Sequence, residues 1–409
     1  MSLRREATYW CVSALVACAP RGAAAQAAPA PRGLTIVVTQ LPSGTPAGAA
    51  VFVAGTFNAW NPGDSAYRLA RRAGGTYALT LPDSVRGPVE FKLTLGSWAR
   101  VETTAAHGDV PNRAFTIPAD GAAVDTCVVA AWRDSTAAPV HSTAGPTVAV
   151  LDTAFAMPQL GRTRRVWIYL PPGYARSRQT YPVLYLQDGQ NVFDAATSFA
   201  GEWRVDETLD SLHALGDSGI IVVAVDHGGA QRLNEYMPWA MAIPRLGSGG
   251  GQGAAYVDFL VHTLKPYIDA HFHTRRDRID TGIGGSSLGG LIALYAALRY
   301  PDVFGRVLAF SPSLFVNPEI FALARTARRR RPPTRFYFDS GHEEGASEPG
   351  LPDHVFVRST NAMLDTLAAA GIDTAADVRS LLPADGAHAE WFWSREFPAA
   401  YLWLFRRGR

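Results

Sequence analysis

Gly285-Ser286-Ser287-Leu288-Gly289 places a serine at the centre of a G-x-S-x-G pattern. A serine hydroxyl becomes a nucleophile only when a base removes its proton, an acid orients that base, and N–H donors receive the oxyanion. Between a strand and a helix, this pattern is a sharp turn that holds the hydroxyl clear of the sheet. Small neighbours let strand and helix approach closely. The flanks agree with that placement. Arg278 to Ile283 predicts a strand, and Leu288, Leu291, Ile292 and Tyr295 recur at helical spacing until Arg299-Tyr300-Pro301 stops the run. A bland serine in a glycine-rich turn is the competing explanation, and the rest of the chain must decide.

The chain has 10 histidines that could serve as the base. His388, in Asp385-Gly-Ala-His388-Ala-Glu-Trp391, follows the last expected strand (Val378 to Leu381) and precedes a C-terminal helix expected over Glu396 to Arg406. The chain order Ser, acid, His puts the base there. The acid belongs after the strand Arg335 to Phe338, where Asp339, Glu343 and Glu344 are available. Leu288 N–H, at the helix N-terminus, is one expected oxyanion donor. The second is expected from Gln187-Asp-Gly-Gln-Asn191, with Gln190 as the donor and Gly189 permitting close approach. Trp203, Tyr236 and Trp391 are candidates for the pocket wall, against core packing as the ordinary fate of large aromatics. Nothing calls for a metal or a cofactor. His271-Phe-His273 lacks a third ligand, there is no phosphate loop, and Gly247 to Gly253 reads as a flexible loop that follows no strand.

Around these residues, strands and helices alternate. Strands are expected at Arg165–Leu170, Val183–Leu186, Ile220–Val225, Ile279–Ile283, Val307–Phe310, Arg335–Phe338 and Val378–Leu381, with helices at Ala254–Phe272 and Asp353–Ala370. That alternation predicts an α/β fold, a mostly parallel sheet with helices on both faces. Residues 33–134 differ in texture. Short runs at Thr35–Val38, Ala50–Ala54, Thr76–Thr80 and Val89–Thr94, separated by Gly, Pro, Asn and Asp, predict a small all-β, immunoglobulin-like sandwich. A link over 135–148 separates the two. At 409 residues, two domains are expected, the second over 149–409.

A net charge of +2 gives no reason to expect a nucleic-acid partner, and Arg328-Arg-Arg-Arg331 is a short solvated run. The N-terminus has the form of an export signal: Arg4 and Arg5, then an apolar Tyr9–Ala19, too short to span a membrane. Cleavage near Ala25 competes with a lipoprotein box, Leu15-Val-Ala-Cys18, that would leave a lipid anchor on Cys18. Either places the mature chain in the periplasm or outside the cell, without a transmembrane helix. Cys127 is then the one cysteine of the body, so no internal disulfide is expected there.

Taken jointly, the chain resembles the esterase family of α/β-hydrolases that includes enterochelin esterases, feruloyl esterases, S-formylglutathione hydrolases and mycolyltransferases. The resemblance rests on Arg165-Val-Trp-Ile-Tyr-Leu-Pro-Pro-Gly-Tyr174, Tyr181 to Asp194, Arg232-Leu-Asn-Glu-Tyr236, Gly285 to Leu291, Asp339-Ser-Gly341 with Glu344, and His388-Ala-Glu-Trp391. It implies an α/β-hydrolase fold with Ser287 as nucleophile, Glu344 as acid and His388 as base, hydrolysing a carboxylic ester through an acyl-enzyme. His342 departs from the family's small polar residue at that position. An acyltransferase using the same serine, or a catalytically idle glycan-binding protein, are the alternatives. Val51 to Pro62 and Phe91 to Glu102 resemble starch- and glycogen-binding sandwich modules. That likeness implies polysaccharide binding through Trp60 and Trp98, whose flat faces would stack on sugars.

Overall fold

The structure is a computed structural model and describes residues 33–58, 60–72, 74–105, 110, 112–118, 122–133, 142–198, 201–243, 247–342, 344 and 354–406. The expected export signal with Cys18, residues 135–141 of the expected link, and Glu343 lie outside them. No helix among the described residues is long and apolar enough to cross a membrane.

The N-terminal strands form two main sheets. Gly33–Gln40 pairs antiparallel with Tyr77–Thr80 and parallel with Ala122–Val128. Gly87–Thr94 lies between Phe52–Gly55 and Arg113–Ile117. Leu34, Ile36 and Val38 alternate inward from the first sheet, and Val89, Phe91 and Leu93 from the second, and all join one core. Cys127 is buried in that core, where desolvation pushes its thiol up to about 12 and keeps it from acting as a nucleophile.

The larger sheet has eight strands: β1 Val148–Met157, β2 Arg162–Tyr169, β3 Val183–Gln187, β4 Ile221–Val225, β5 Thr281–Ser286, β6 Arg306–Phe310, β7 Arg335–Asp339 and β8 Val378–Leu381. Their order is β1-β2-β4-β3-β5-β6-β7-β8, antiparallel only at β1–β2 and β2–β4. The central strands are apolar on both faces because helices cover both. Tyr185, Val223, Ile283 and Val307 point into one core with Leu291 and Leu294 of the helix Leu288–Arg299. Leu184, Val222, Leu308 and Phe310 point into the other, with Leu209 of the helix Val205–Ala214 and Phe397 of the helix Glu390–Phe405. This is the α/β-hydrolase arrangement that the resemblance implies.

Four departures from the sequence expectation have physical reasons. β1 was not foreseen, because this edge strand buries only Phe155 and Met157 and so has no clear alternation. The helix expected over Ala254–Phe272 is interrupted by a π-turn at Leu260–Leu264, just ahead of Pro266, which has no N–H to donate. The expected glycine loop is partly a strand. Gly247–Gly249 pairs antiparallel with Met241–Ile243, a ladder made by the backbone and invisible to side-chain patterns. The C-terminal helix begins earlier than expected, at Glu390, and runs through Pro398.

β5 and the helix Leu288–Arg299 meet closely. A Cβ on Gly285 would lie 2.7 Å from the carbonyl carbon of Gly289. Gly285→Ala is expected to destabilise the fold by about 2 kcal/mol, as overpacking typically does. A urea midpoint equal to that of the parent chain would refute this.

Candidate active site

Ser287 caps the helix that leaves β5, with φ 57° and ψ −125°. L-residues rarely adopt this conformation, and it persists only where neighbours over-determine it. They do so here. Ser287 N–H donates to Phe310 O at 2.9 Å, and its carbonyl accepts from the N–H groups of Gly290, Leu291 and Ser313, each at 3.1 Å. The hydroxyl Oγ lies 3.2 Å from Ser313 Oγ.

Glu344, 1 % exposed, gathers three donors. Its Oε1 accepts from Ser311 Oγ and from Gly341 N–H, both at 2.6 Å, and its Oε2 accepts from His388 Nδ1 at 3.1 Å. That last bond fixes the imidazole tautomer and leaves Nε2 as the basic nitrogen. Ser311 is itself held by the Trp393 indole N–H, which donates to its Oγ at 2.8 Å. The His388 ring lies against Phe356, centroids 4.6 Å apart, and edge-on to Trp393 at 5.2 Å.

The rival acid, Asp339, is fully buried, and its Oδ1 accepts from Ser311 N–H at 3.0 Å. Burial first, and then the charge of Glu344, hold its carboxyl well above the usual carboxylate range. Asp339 is therefore the member of the pair whose charged form is the more disfavoured. The acid and base loops touch through glycines: a Cβ on Gly341 would fall 1.9 Å from Gly386 O. His342, at the position where the resemblance breaks, is exposed, and its N–H donates to Pro383 O at 3.1 Å, joining the same two loops.

The loop after β3 is held from below. Asp188 has φ 56°, and its carboxylate takes Nε of Arg232 at 2.7 Å and Nη2 at 2.9 Å. Its N–H donates to the Tyr236 hydroxyl at 3.1 Å. The Arg232 guanidinium lies 5.1 Å from the centre of the Tyr236 ring. Gln190 turns its side chain into the scaffold, Oε1 accepting from His227 N–H at 3.2 Å. Burial lowers His227 to about 4, so it is neutral. Asn191 Nδ2 donates to Glu390 Oε1 at 3.0 Å, and burial pushes that carboxyl up to about 7. The loop approaches the nucleophile's helix directly: a Cβ on Gly289 would meet Gln187 Cβ at 3.1 Å and Asp188 Oδ2 at 3.2 Å.

The structure thus places Ser287, Glu344, His388, Leu288 and Gln190 on the ends of β5, β7, β8 and β3 and the segments that follow them. The three aromatics expected to line a pocket fare differently. Trp203 is 3 % exposed and packs between Phe310 and Trp393 in the core. Tyr236 is 0 % exposed, and its hydroxyl is occupied by Asp188. Trp391 is on the surface, with Arg395 over its ring. None is a buried pocket wall, because the first two fill layers beneath the site. Ser311, Trp393 and the Asp188–Arg232 pair were not read from the sequence as parts of the site. Only the Arg232-Leu-Asn-Glu-Tyr236 run hinted at the last. The His271 ring stacks on Tyr267, and the His273 ring lies against Tyr174. In the sandwich, the half-buried rings of Trp60 and Trp98 lie 6.3 Å apart.

A family model described as "Putative esterase" matches residues 157–404. A Bacillus subtilis protein, YbbA, of uncharacterised function, is 27 % identical over 250 residues, covering 60 % of this chain and 94 % of that protein. An alpha-amylase from Niallia circulans is 46 % identical over 94 residues, 23 % of this chain and 7 % of the amylase. An iron(III) salmochelin esterase from Escherichia coli is 32 % identical over 161 residues, 39 % of this chain and 34 % of that enzyme. The chain thus spans far less than two thirds of the last two relatives. The enterobactin esterase of Shigella flexneri, solved in the presence of enterobactin, shares the fold at TM-score 0.50 and 18 % identity, over 87 % of this chain and 88 % of that one.

The two buried acids are separable by substitution. Glu344→Gln should lower kcat/KM on an activated ester by about a thousandfold, because the wrong imidazole tautomer is then favoured. Asp339→Asn, at a residue that bonds Ser311 N–H and not the imidazole, should stay within about fivefold of the parent enzyme. Equal losses in the two variants, measured by steady-state kinetics, would contradict the assignment.

Proposed function

The chain belongs to the esterase family and is a carboxylic-ester hydrolase, and on that premise we propose that it is an exported serine esterase working through Ser287, His388 and Glu344. Ser287 Oγ attacks the ester carbonyl carbon while His388 Nε2 takes the hydroxyl proton. The tetrahedral oxyanion is received by the N–H groups of Leu288 and Gln190. Collapse breaks the bond to the alcohol, which leaves with the proton from His388. A water molecule, deprotonated by the same imidazole, then attacks the acyl-enzyme, and the free acid departs as Ser287 regains its proton. Glu344 stays ionised throughout and stabilises the imidazolium.

The observation that carries this reading is the Glu344–His388 hydrogen bond at 3.1 Å, between the segments that follow β7 and β8 of the same sheet whose β5 ends in the strained Ser287. Support for the substrate class comes from the relatives, two of which are named for esters of siderophores. We take a siderophore-type or aryl ester, small enough to reach Ser287, as the substrate. The basic, then apolar, N-terminus supports export. The Trp60–Trp98 pair supports attachment to polysaccharide, as does the 94-residue match to an amylase, about the length of one such sandwich.

Ser287→Ala should lose hydrolysis by about 10⁴-fold or more and should no longer be labelled by a fluorophosphonate. Retained labelling at another residue would sink the nucleophile assignment. Trp60→Ala with Trp98→Ala should abolish retention on insoluble starch and leave kcat on a soluble ester unchanged. Undiminished retention of the double variant would reject the glycan role.

A further inference from the structure

Glu202, Asp206 and Glu207 stand apart from the triad, at the start of the helix Val205–Ala214. One carboxylate oxygen from each lies within 4.8 Å of the other two. The division of their oxygens is regular. Asp206 Oδ2 accepts from Gly145 N–H at 2.8 Å, Glu202 Oε2 from Thr143 Oγ1 at 2.9 Å, and Glu207 Oε1 from Arg204 Nε at 3.4 Å. The remaining oxygens, Asp206 Oδ1, Glu202 Oε1 and Glu207 Oε2, are buried and meet no donor among the described residues. Asp206 as a whole is 0 % exposed. Each acid thus spends one oxygen on the protein and has a second, buried oxygen without a donor among the described residues.

Acids in a first helical turn ordinarily bind the helix's own N–H groups, which accounts for their frequency there. These three oxygens do not use that outlet, and three converging carboxylates repel one another unless something positive lies between them. We propose that Glu202, Asp206 and Glu207 bind a calcium ion. An all-oxygen, all-carboxylate set selects a hard cation. Oxygens within 4.8 Å of one another can be bridged by an ion with Ca–O distances of about 2.4 Å. Through Thr143 and Gly145 the ion fastens residues 142–147, the entry to β1, onto this helix. The site is therefore structural, and the ester chemistry does not pass through it.

The test uses the full chain, stripped with EDTA and titrated with CaCl₂, read by calorimetry and by thermal unfolding. One calcium per chain should bind, raising Tm by about 5 °C at a hundredfold excess over Kd. TbCl₃ should give tryptophan-sensitised emission, with Trp203 adjacent to the site, and CaCl₂ should displace it. Asp206→Asn should weaken binding by about tenfold or more while ester turnover persists. Glu202→Gln should do the same, and decides the matter if the first variant does not fold. Absence of binding by the parent chain, or equal binding by both variants, overturns the site and leaves a proton shared between Asp206 and Glu207 in its place. An equal Tm shift with MgCl₂ at the same concentration overturns the choice of calcium.

Discussion

The carboxylate of Glu344 is the constraint on which the site is built. It is buried, and a buried carboxyl group is tolerable only when hydrogen bonds replace its lost water. Ser311, Gly341 and His388 supply them. Each donor has a structural cost. Ser311 sits at φ 42°, and its hydroxyl is aimed by Trp393. Gly341 must lie against the backbone of Gly386. Asp339, deprived of water beside the same carboxylate, is pushed well above the usual carboxylate range. The acid has fixed the conformation of three loops before any substrate arrives.

The loop after β3 follows the same logic with a different pair. Asp188 holds a left-handed backbone, which costs on the order of 1–3 kcal/mol for a residue with a side chain. Its bidentate bond to Arg232 and its N–H bond to Tyr236 make that conformation the only comfortable one. The ion pair is partly buried, with 24 % of the Arg232 side chain exposed, so its net contribution to stability is small, while its directional bonds specify the loop. Rigidity of this kind is what an oxyanion site requires, because donors that must reorient at the transition state lose their advantage.

How much of this was legible depended on what kind of interaction fixed each part. The nucleophile turn was readable because small residues at fixed spacing are a steric necessity there. The sheet was readable wherever burial on both faces wrote a continuous apolar run, as at β3 and β4. Edge strand β1 escaped because water on one side leaves little pattern. The triad's chain order pointed to His388, but the choice between Asp339 and Glu344 needed a known family. Their environments differ through tertiary contacts with Ser311 and Gly341, which no local window contains. Trp203 and Tyr236 were misplaced for the converse reason. A large aromatic near a site in sequence has the same local signature whether it faces a pocket or supports the layer beneath.

The contact between Gly341 and Gly386 has a consequence beyond the site's geometry. Two segments separated by most of a helix and a strand meet main chain to main chain, with no side chain between them. The separation of the loops that carry Glu344 and His388 is therefore set by peptide planes, which do not change rotamer. Segments elsewhere around the sheet edge are free to diverge in composition and length without retuning that spacing. A scaffold built this way separates the inheritance of its reaction from the inheritance of its selectivity, so that one chemistry can pass unchanged among descendants that process different molecules.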